Sequence, residues 1–148
     1  MMSRGFWGSY TNSLDSKGRI NVPSKIRKNL DREDDETFVL IRGTDPCIIA
    51  YPRGAWKDTV QRIKEKIGNG RDFRIVTRRL MYQASEQKVD KQGRLNLPAH
   101  LIQYAKLNGN VTLYGFEDRL EIWNPELYEK FVGDTESDYQ ELAKDLDF

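Results

Sequence analysis

The sequence predicts a mixed, mainly β fold with flanking helices, its core built from two internal repeats related by a pseudo-two-fold axis. Three observations predict it. First, Asp15-Ser-Lys-Gly-Arg-Ile-Asn-Val-Pro23 returns 75 residues later as Asp90-Lys-Gln-Gly-Arg-Leu-Asn-Leu-Pro98. Five of the nine positions are identical, and Ile20/Leu95 and Val22/Leu97 are apolar exchanges. Such a duplication fixes the architecture before any other feature is weighed. Second, both copies alternate polar and apolar residues with period two after the glycine, as half-buried strands do. Third, a unit of ~45 residues rarely buries enough surface alone, so two copies are expected to share one core.

The chain order follows from this. Residues 7–55 form the first repeat, 56–81 connecting helices, 82–126 the second repeat, and 127–148 a C-terminal helix with an acidic tail. Residues 6–14 read as an extended strand. Its aromatics, Phe6, Trp7 and Tyr10, read as core or interface residues, because no basic residues interleave with them as they would on a base-stacking platform. The turn Asp15–Gly18 follows, with Gly18 supplying a positive φ; Asp90–Gly93 repeats it with Gly93. Read as hairpins, these turns put Asp15 and Arg19, and Asp90 and Arg94, at exposed tips. Pro23 and Pro98 end the strands and start short helices, the first with Ile26 and Leu30 on one side, the second with Leu101, Ile102 and Ala105. Asp31 to Glu36 is an acidic loop. Phe38–Ile41 and Ile48–Tyr51 are apolar strands joined by a Gly43-Thr-Asp-Pro46 turn. Val111–Tyr114 and Leu120–Trp123 are their counterparts after the Asn108-Gly-Asn110 turn.

Trp56, Val60, Ile63 and Ile67 make an amphipathic helical stripe that Gly68-Asn-Gly70 stops. A second helix from about Asp72 carries Phe73, Val76 and Leu80 on one face. Asn124 caps a helix with Pro125 in its first turn and Leu127, Tyr128 and Phe131 as its stripe. Beyond Gly133 the tail is acidic and carries Leu142, Leu146 and Phe148. It reads as a disordered segment or a weak helix that docks on a partner.

The chain has 148 residues, 38% hydrophobic and 32% charged, with six Phe, seven Tyr and three Trp, enough apolar material for a core. No segment has the length of a membrane span or the pattern of a signal peptide. The lone Cys47 reads as a small buried strand residue and suits a reducing cytoplasm. Net charge is only +1, but it is unevenly placed. Residues 1–30 hold Arg4, Lys17, Arg19, Lys25, Arg27 and Lys28 against Asp15 alone. Residues 56–94 hold eleven basic and five acidic side chains, and residues 117–148 three basic and eleven acidic. Both turns therefore lie in basic regions, an asymmetry that suggests a polyanion-facing surface, the alternative for much of the charge over residues 56–79 being solvated helix faces.

With one His (His100) and one Cys there is no metal-ligand cluster or Cys/His dyad, and neither GxxxxGK[ST] nor GxGxxG occurs. No cofactor, metal or catalytic residue is expected, and the chain does not read as an enzyme. Asp15 and Asp90 read as turn residues bonding the local backbone or the nearby Arg. Lys17 and Arg19 at one turn, with Lys91 and Arg94 at the other, are the candidate DNA-binding residues. Arg presents a planar fork of donors to phosphate or to the guanine edge, and a two-stranded ribbon fits the major groove. Pairing of Arg19 or Arg94 with the nearby Asp is the alternative role.

The stretch Phe6-Trp-Gly-Ser-Tyr-Thr-Asn-Ser-Leu-Asp-Ser-Lys-Gly-Arg-Ile-Asn-Val-Pro23, with the second Asp90-Lys-Gln-Gly-Arg94, resembles the bacterial MraZ family over roughly residues 5–132. That family carries two SpoVT/AbrB-type units, each marked by an Asp-x-x-Gly-Arg turn. The resemblance implies a swapped-hairpin, AbrB-like β-barrel assembled into a ring-shaped homo-oligomer. It implies a transcriptional regulator, cytoplasmic and nucleoid-associated, that binds direct repeats in double-stranded promoter DNA before the division and cell-wall gene cluster, including its own promoter. The motif residues carried over are Asp15, Lys17, Gly18 and Arg19, then Asp90, Gly93 and Arg94. Gln92 stands where the first copy has Lys17, so the two turns need not contact DNA equally. Two other readings stay open: an antitoxin-like AbrB module that also binds a partner protein, and a structural ring or adaptor that reads no DNA.

Overall fold

A computed structural model describes residues 5–148; Arg4, counted in the basic N-terminal segment, lies outside the described residues. Each copy supplies four strands. In the first they are β1 (Ser9–Ser13), β2 (Arg19–Asn21), β3 (Thr37–Arg42) and β4 (Ile48–Pro52). In the second they are β5 (Ser85–Lys88), β6 (Arg94–Asn96), β7 (Asn110–Phe116) and β8 (Arg119–Trp123). Six strands form one antiparallel sheet in the order β1-β7-β8-β4-β3-β5, and β2 pairs with β6 in a separate ribbon.

The order shows an exchange between the copies. β3–β4 and β7–β8 are hairpins, and β4 joins β8 at the centre of the sheet. The first strand of each copy pairs with the hairpin of the other: β1 with β7, in register Ser9↔Tyr114, and β5 with β3, in register Thr37↔Lys88. This corrects the hairpin reading of the two turns. The strands on either side of Asp15–Gly18 do not pair with each other; the turn carries the chain from the sheet into the ribbon. Two backbone bonds close it before the strands diverge, Asp15 N–H to the Arg19 carbonyl and Gly18 N–H to the Asp15 carbonyl. Asp90 N–H donates to the Arg94 carbonyl in the same way.

Main-chain pairing does not close the sheet into a barrel, because β1 and β5 are its edges and the ribbon is separate. Side chains link the parts: the Asn12 amide of β1 donates to the Asn21 carbonyl of β2, and its oxygen accepts from Asn21 N–H at 3.3 Å.

Sheet and ribbon enclose one core drawn from both copies. Ile20, Val22 and Ile26 from the first meet their counterparts Leu95, Leu97 and Leu101, with Phe38, Leu40, Ile48, Val111, Leu113, Leu120 and Ile122 from the hairpins. Burying side chains of this size contributes ~1.5–3 kcal/mol each, and neither copy holds the whole set. Cys47 is buried immediately before β4, and burial raises its thiol pKa well above the usual range; a thiol so shielded is unreactive.

The helices are α1 (Ser24–Arg27), α2 (Arg53–Ile67), α3 (Arg71–Tyr82), α4 (Ala99–Tyr104), α5 (Pro125–Asp134) and α6 (Glu136–Ala143). The stripe expected on α2 is only partly used. Trp56 is buried against Val39, Ile41 and Tyr51 with Val60 packed alongside, whereas Ile67 is exposed, because the helix runs on past the edge of that cluster. Gly68, at φ 77°, ends it. On the other half, the Asn124 side chain accepts from the N–H groups of Glu126 and Leu127 and so caps α5. Tyr128 then stacks on Tyr114 at 4.0 Å, and Phe131 meets Trp123. Of the leading aromatics, Phe6 is in the core and Tyr10 packs against it, but Trp7 is 65% exposed. The acidic loop contains a short 3-10 turn, Arg32–Asp34. Asp34 is buried there, satisfied by the N–H groups of Asp31 and Gly54. Among the described residues no helix is long and apolar enough to cross a membrane.

Candidate nucleic-acid interface

Pairing within the ribbon brings together residues that lie 75 positions apart. Ile20 and Leu95 are cross-strand partners, and both point into the core. Period two then sends the flanking residues outward: Arg19 opposite Asn96, and Asn21 opposite Arg94. The outer face of the ribbon is thus a four-residue set, Arg19, Asn21, Arg94 and Asn96, repeated about the pseudo-dyad. Arg19 and Arg94 lie diagonally, offset by two strand residues. That offset is ~6.8 Å, which is also about two base-pair steps of duplex DNA.

The turns that lead into the ribbon are locked by their aspartates. Asp15 Oδ1 accepts from the N–H groups of Lys17 and Arg19, each at 2.9 Å, and Oδ2 takes Arg19 Nε at 2.8 Å. Asp90 does the same for Gln92 and Arg94, with Arg94 Nε at 3.1 Å. Both aspartates are held below the ordinary carboxylate pKa, chiefly by the backbone N–H of Arg19 and of Arg94. Gly18 (φ 78°) and Gly93 (φ 81°) take the left-handed conformation that closes each turn. A Cβ at Gly18 would also press on Ile102 at 3.2 Å, and one at Gly93 on the Arg27 guanidinium at 3.1 Å. The short helix of each copy therefore lies over the turn of the other.

Pairing with the nearby aspartate, one of the two roles considered for the arginines, is present at both turns. Asp15 holds only the Nε edge of Arg19, and among the described residues the two terminal nitrogens have no acceptor. Arg94 differs, since its Nη2 also donates to Gln92 Oε1. Lys17 and Lys91 are exposed and outside the described ion pairs. Asn21 and Asn96 were not singled out by sequence reasoning. Their identity in both copies and their outward period-two positions were legible, but their place beside Arg94 and Arg19 required knowing that β2 pairs with β6. His100 Nε2 bonds the Gln83 carbonyl at 2.9 Å.

Two copies of one strand–turn–strand unit, interleaved by strand exchange and presenting a cationic ribbon, define a tandem-repeat, swapped-strand protein. A family model described as "MraZ protein, putative antitoxin-like" matches residues 6–74 and 80–147. Curated relatives match nearly end to end. The protein named transcriptional regulator MraZ in Natranaerobius thermophilus is 38% identical over 141 residues, covering 95% of this chain and 96% of that one. Its namesake in Caldanaerobacter subterraneus subsp. tengcongensis is 37% identical over 140 residues, covering 95% of each. That of Limosilactobacillus reuteri is 37% identical over 139 residues, covering 94% of this chain and 95% of the relative. The chain belongs to the MraZ family.

Proposed function

We propose that the chain is a sequence-specific DNA-binding transcriptional regulator, acting in the cytoplasm at the nucleoid. It binds direct repeats before the division and cell-wall gene cluster, including its own promoter. The observation that carries this reading is the outer face of the β2–β6 ribbon, where Arg19 keeps two unengaged guanidinium nitrogens while Asp15 fixes its orientation. A pre-oriented fork of donors on a ribbon narrow enough for the major groove suits the guanine edge, and Asn21 and Asn96 beside the arginines suit adenine. Lys17 and Lys91 at the turns contact phosphate. The sheet and ribbon around one core act as a swapped-hairpin barrel closed by side chains. Several protomers in a ring engage repeated sites together, so modest single contacts add to useful affinity. The relatives' name, transcriptional regulator, supports the same function.

The test is binding to the DNA upstream of the protein's own gene. Arg19→Ala is expected to cost about 1–3 kcal/mol per site and to relax the sequence preference. Folded, correctly assembled Arg19→Ala and Arg94→Ala proteins that bind as tightly as the unaltered protein would remove the basis for the proposal.

A further inference from the structure

The two copies place their positive charge differently. In the second turn Gln92 stands where the first has Lys17, so the position before the glycine carries no cation there. Lys91 stands one place earlier, where the first copy has Ser16. The short helices differ in the opposite sense. α1 and the residue after it present Lys25, Arg27 and Lys28, whereas the equivalent positions 75 residues on are His100, Ile102 and Gln103 of α4. Each helix lies over the turn of the other copy. The basic helix therefore covers the turn without the lysine, and the uncharged helix covers the turn that has it.

Arg27 is held in place at the second turn. Its Nε donates to the Val22 carbonyl at 3.0 Å, and Val22 N–H donates to the Gly93 carbonyl at 2.8 Å. The guanidinium lies against Gly93, its Cζ and Nη2 being 3.1 and 3.3 Å from where a Cβ would stand. Arg27 is exposed, and among the described residues its two terminal nitrogens have no acceptor and it joins no ion pair. Arg19 has the same arrangement: one edge fixed by the chain, the rest of the fork left over.

Covering a turn does not require that charge. Ile102 covers Gly18 at 3.2 Å in the equivalent place, so an apolar side chain is enough. What Arg27 adds is a cation of fixed position, with a planar pair of donors that matches phosphate oxygens.

We propose that Arg27 binds a backbone phosphate of the duplex at the second turn, so that the first copy supplies the cation that Gln92 lacks. This rests on the DNA-binding reading above and extends the contact surface from the turns to α1.

The test compares the full-length chain with Arg27→Ile, which gives the second turn the cover that the first already has, and with Arg27→Gln. Binding to the upstream duplex is followed by fluorescence anisotropy between about 50 and 200 mM salt. Loss of one phosphate contact is expected to make the slope of log affinity against log salt shallower by about 0.9 per bound protomer, so that affinity falls ~3–4-fold less across this range. Melting temperature and oligomer size are expected to stay as they are. Adding Gln92→Lys to Arg27→Ile is expected to restore the original slope, because a cation then returns to the same turn. A folded Arg27→Ile or Arg27→Gln chain with the unaltered slope would overturn the proposal. Loss of the fold in both variants would also overturn it, by making Arg27 a structural clamp. A double variant that keeps the slope of Arg27→Ile would put the contact elsewhere and have the same consequence. Binding that depends on Arg19 but not on Arg27 would remove this inference alone, whereas binding indifferent to Arg19 and Arg94 would remove the DNA-binding reading with it.

Discussion

At the first turn, Lys17 stands two residues before Arg19, and Ile102 of the other copy covers Gly18. At the second, Gln92 occupies the place of Lys17, and Arg27 covers Gly93 in the place of Ile102. The backbone and the aspartate bonds match from one turn to the other. The side chains that decide how much of each arginine is available do not. Lys17 offers no acceptor, so Arg19 keeps both terminal nitrogens, whereas Gln92 takes one from Arg94. Duplication has kept the scaffold and freed the functional groups to differ: the first turn is the stronger donor, and the second is partly satisfied by its own chain.

Four experiments break or sharpen that comparison. Separating the turns has the largest effect. Residues 1–70 lack β5, β6 and β7, the partners of β3, β2 and β1, so this fragment is expected to be unfolded or to dimerise and replace the missing half. Circular dichroism melting with light scattering checks it, and a cooperatively folding monomer would contradict the shared core. Next come Ile20→Ala and Leu95→Ala, which remove cross-strand partners buried to the same degree. Each is expected to cost ~2–5 kcal/mol in denaturant unfolding, and by similar amounts, because the scaffold is common to both copies. Gln92→Lys then gives the second turn the chemistry of the first. It releases Arg94 Nη2 and adds a cation, so binding to the upstream DNA is expected to tighten, with a salt slope steeper by about one unit per added phosphate contact. The reciprocal Lys17→Gln is expected to weaken binding. The smallest effect is that of pH. Asp15 and Asp90 have depressed pKa values in the folded protein, so each stabilises the fold above the ordinary aspartate value of ~3.9 and loses that contribution as pH falls through its lowered folded value. Asp15→Asn and Asp90→Asn are expected to flatten the acid limb of the stability curve equally.

What the sequence disclosed depended on the range of the interaction. The period-two runs after Gly18 and Gly93, the Asn124-Pro125 helix start and the glycine stop at Gly68 are local patterns, and each appears at its expected place. Strand partnership is not local. Alternation says that Ile20 and Leu95 share a buried side, but not that they face each other, and an Asp-x-x-Gly turn between two strands looks like a hairpin whether or not those strands pair. The outer face of the ribbon was half visible for that reason: Arg19 and Arg94 stood out by charge, while Asn21 and Asn96 gained meaning only from the β2–β6 register. The Trp56–Ile67 stripe correctly marked a helix, yet how far along it the sheet would reach was set by β3 and β4, so Ile67 ended in solvent.

The exchange of first strands also imposes a schedule on synthesis. Ser9 pairs with Tyr114, so β1 must wait for roughly 100 further residues, which at ~5–20 residues per second is ~5–20 s on the ribosome. Within that interval the β3–β4 hairpin lacks β5 until residue 88 is made, and it lacks β8 throughout. A neighbouring nascent chain offers the same strands, and an exchange completed with it would link two chains. The waiting strand β1 is short and polar, Ser-Tyr-Thr-Asn-Ser, a composition that makes a poor seed for edge-to-edge aggregation. Apolar substitutions on the outward side of β1 are therefore expected to leave the finished protein stable and to lower its soluble yield, a cost incurred before the fold exists.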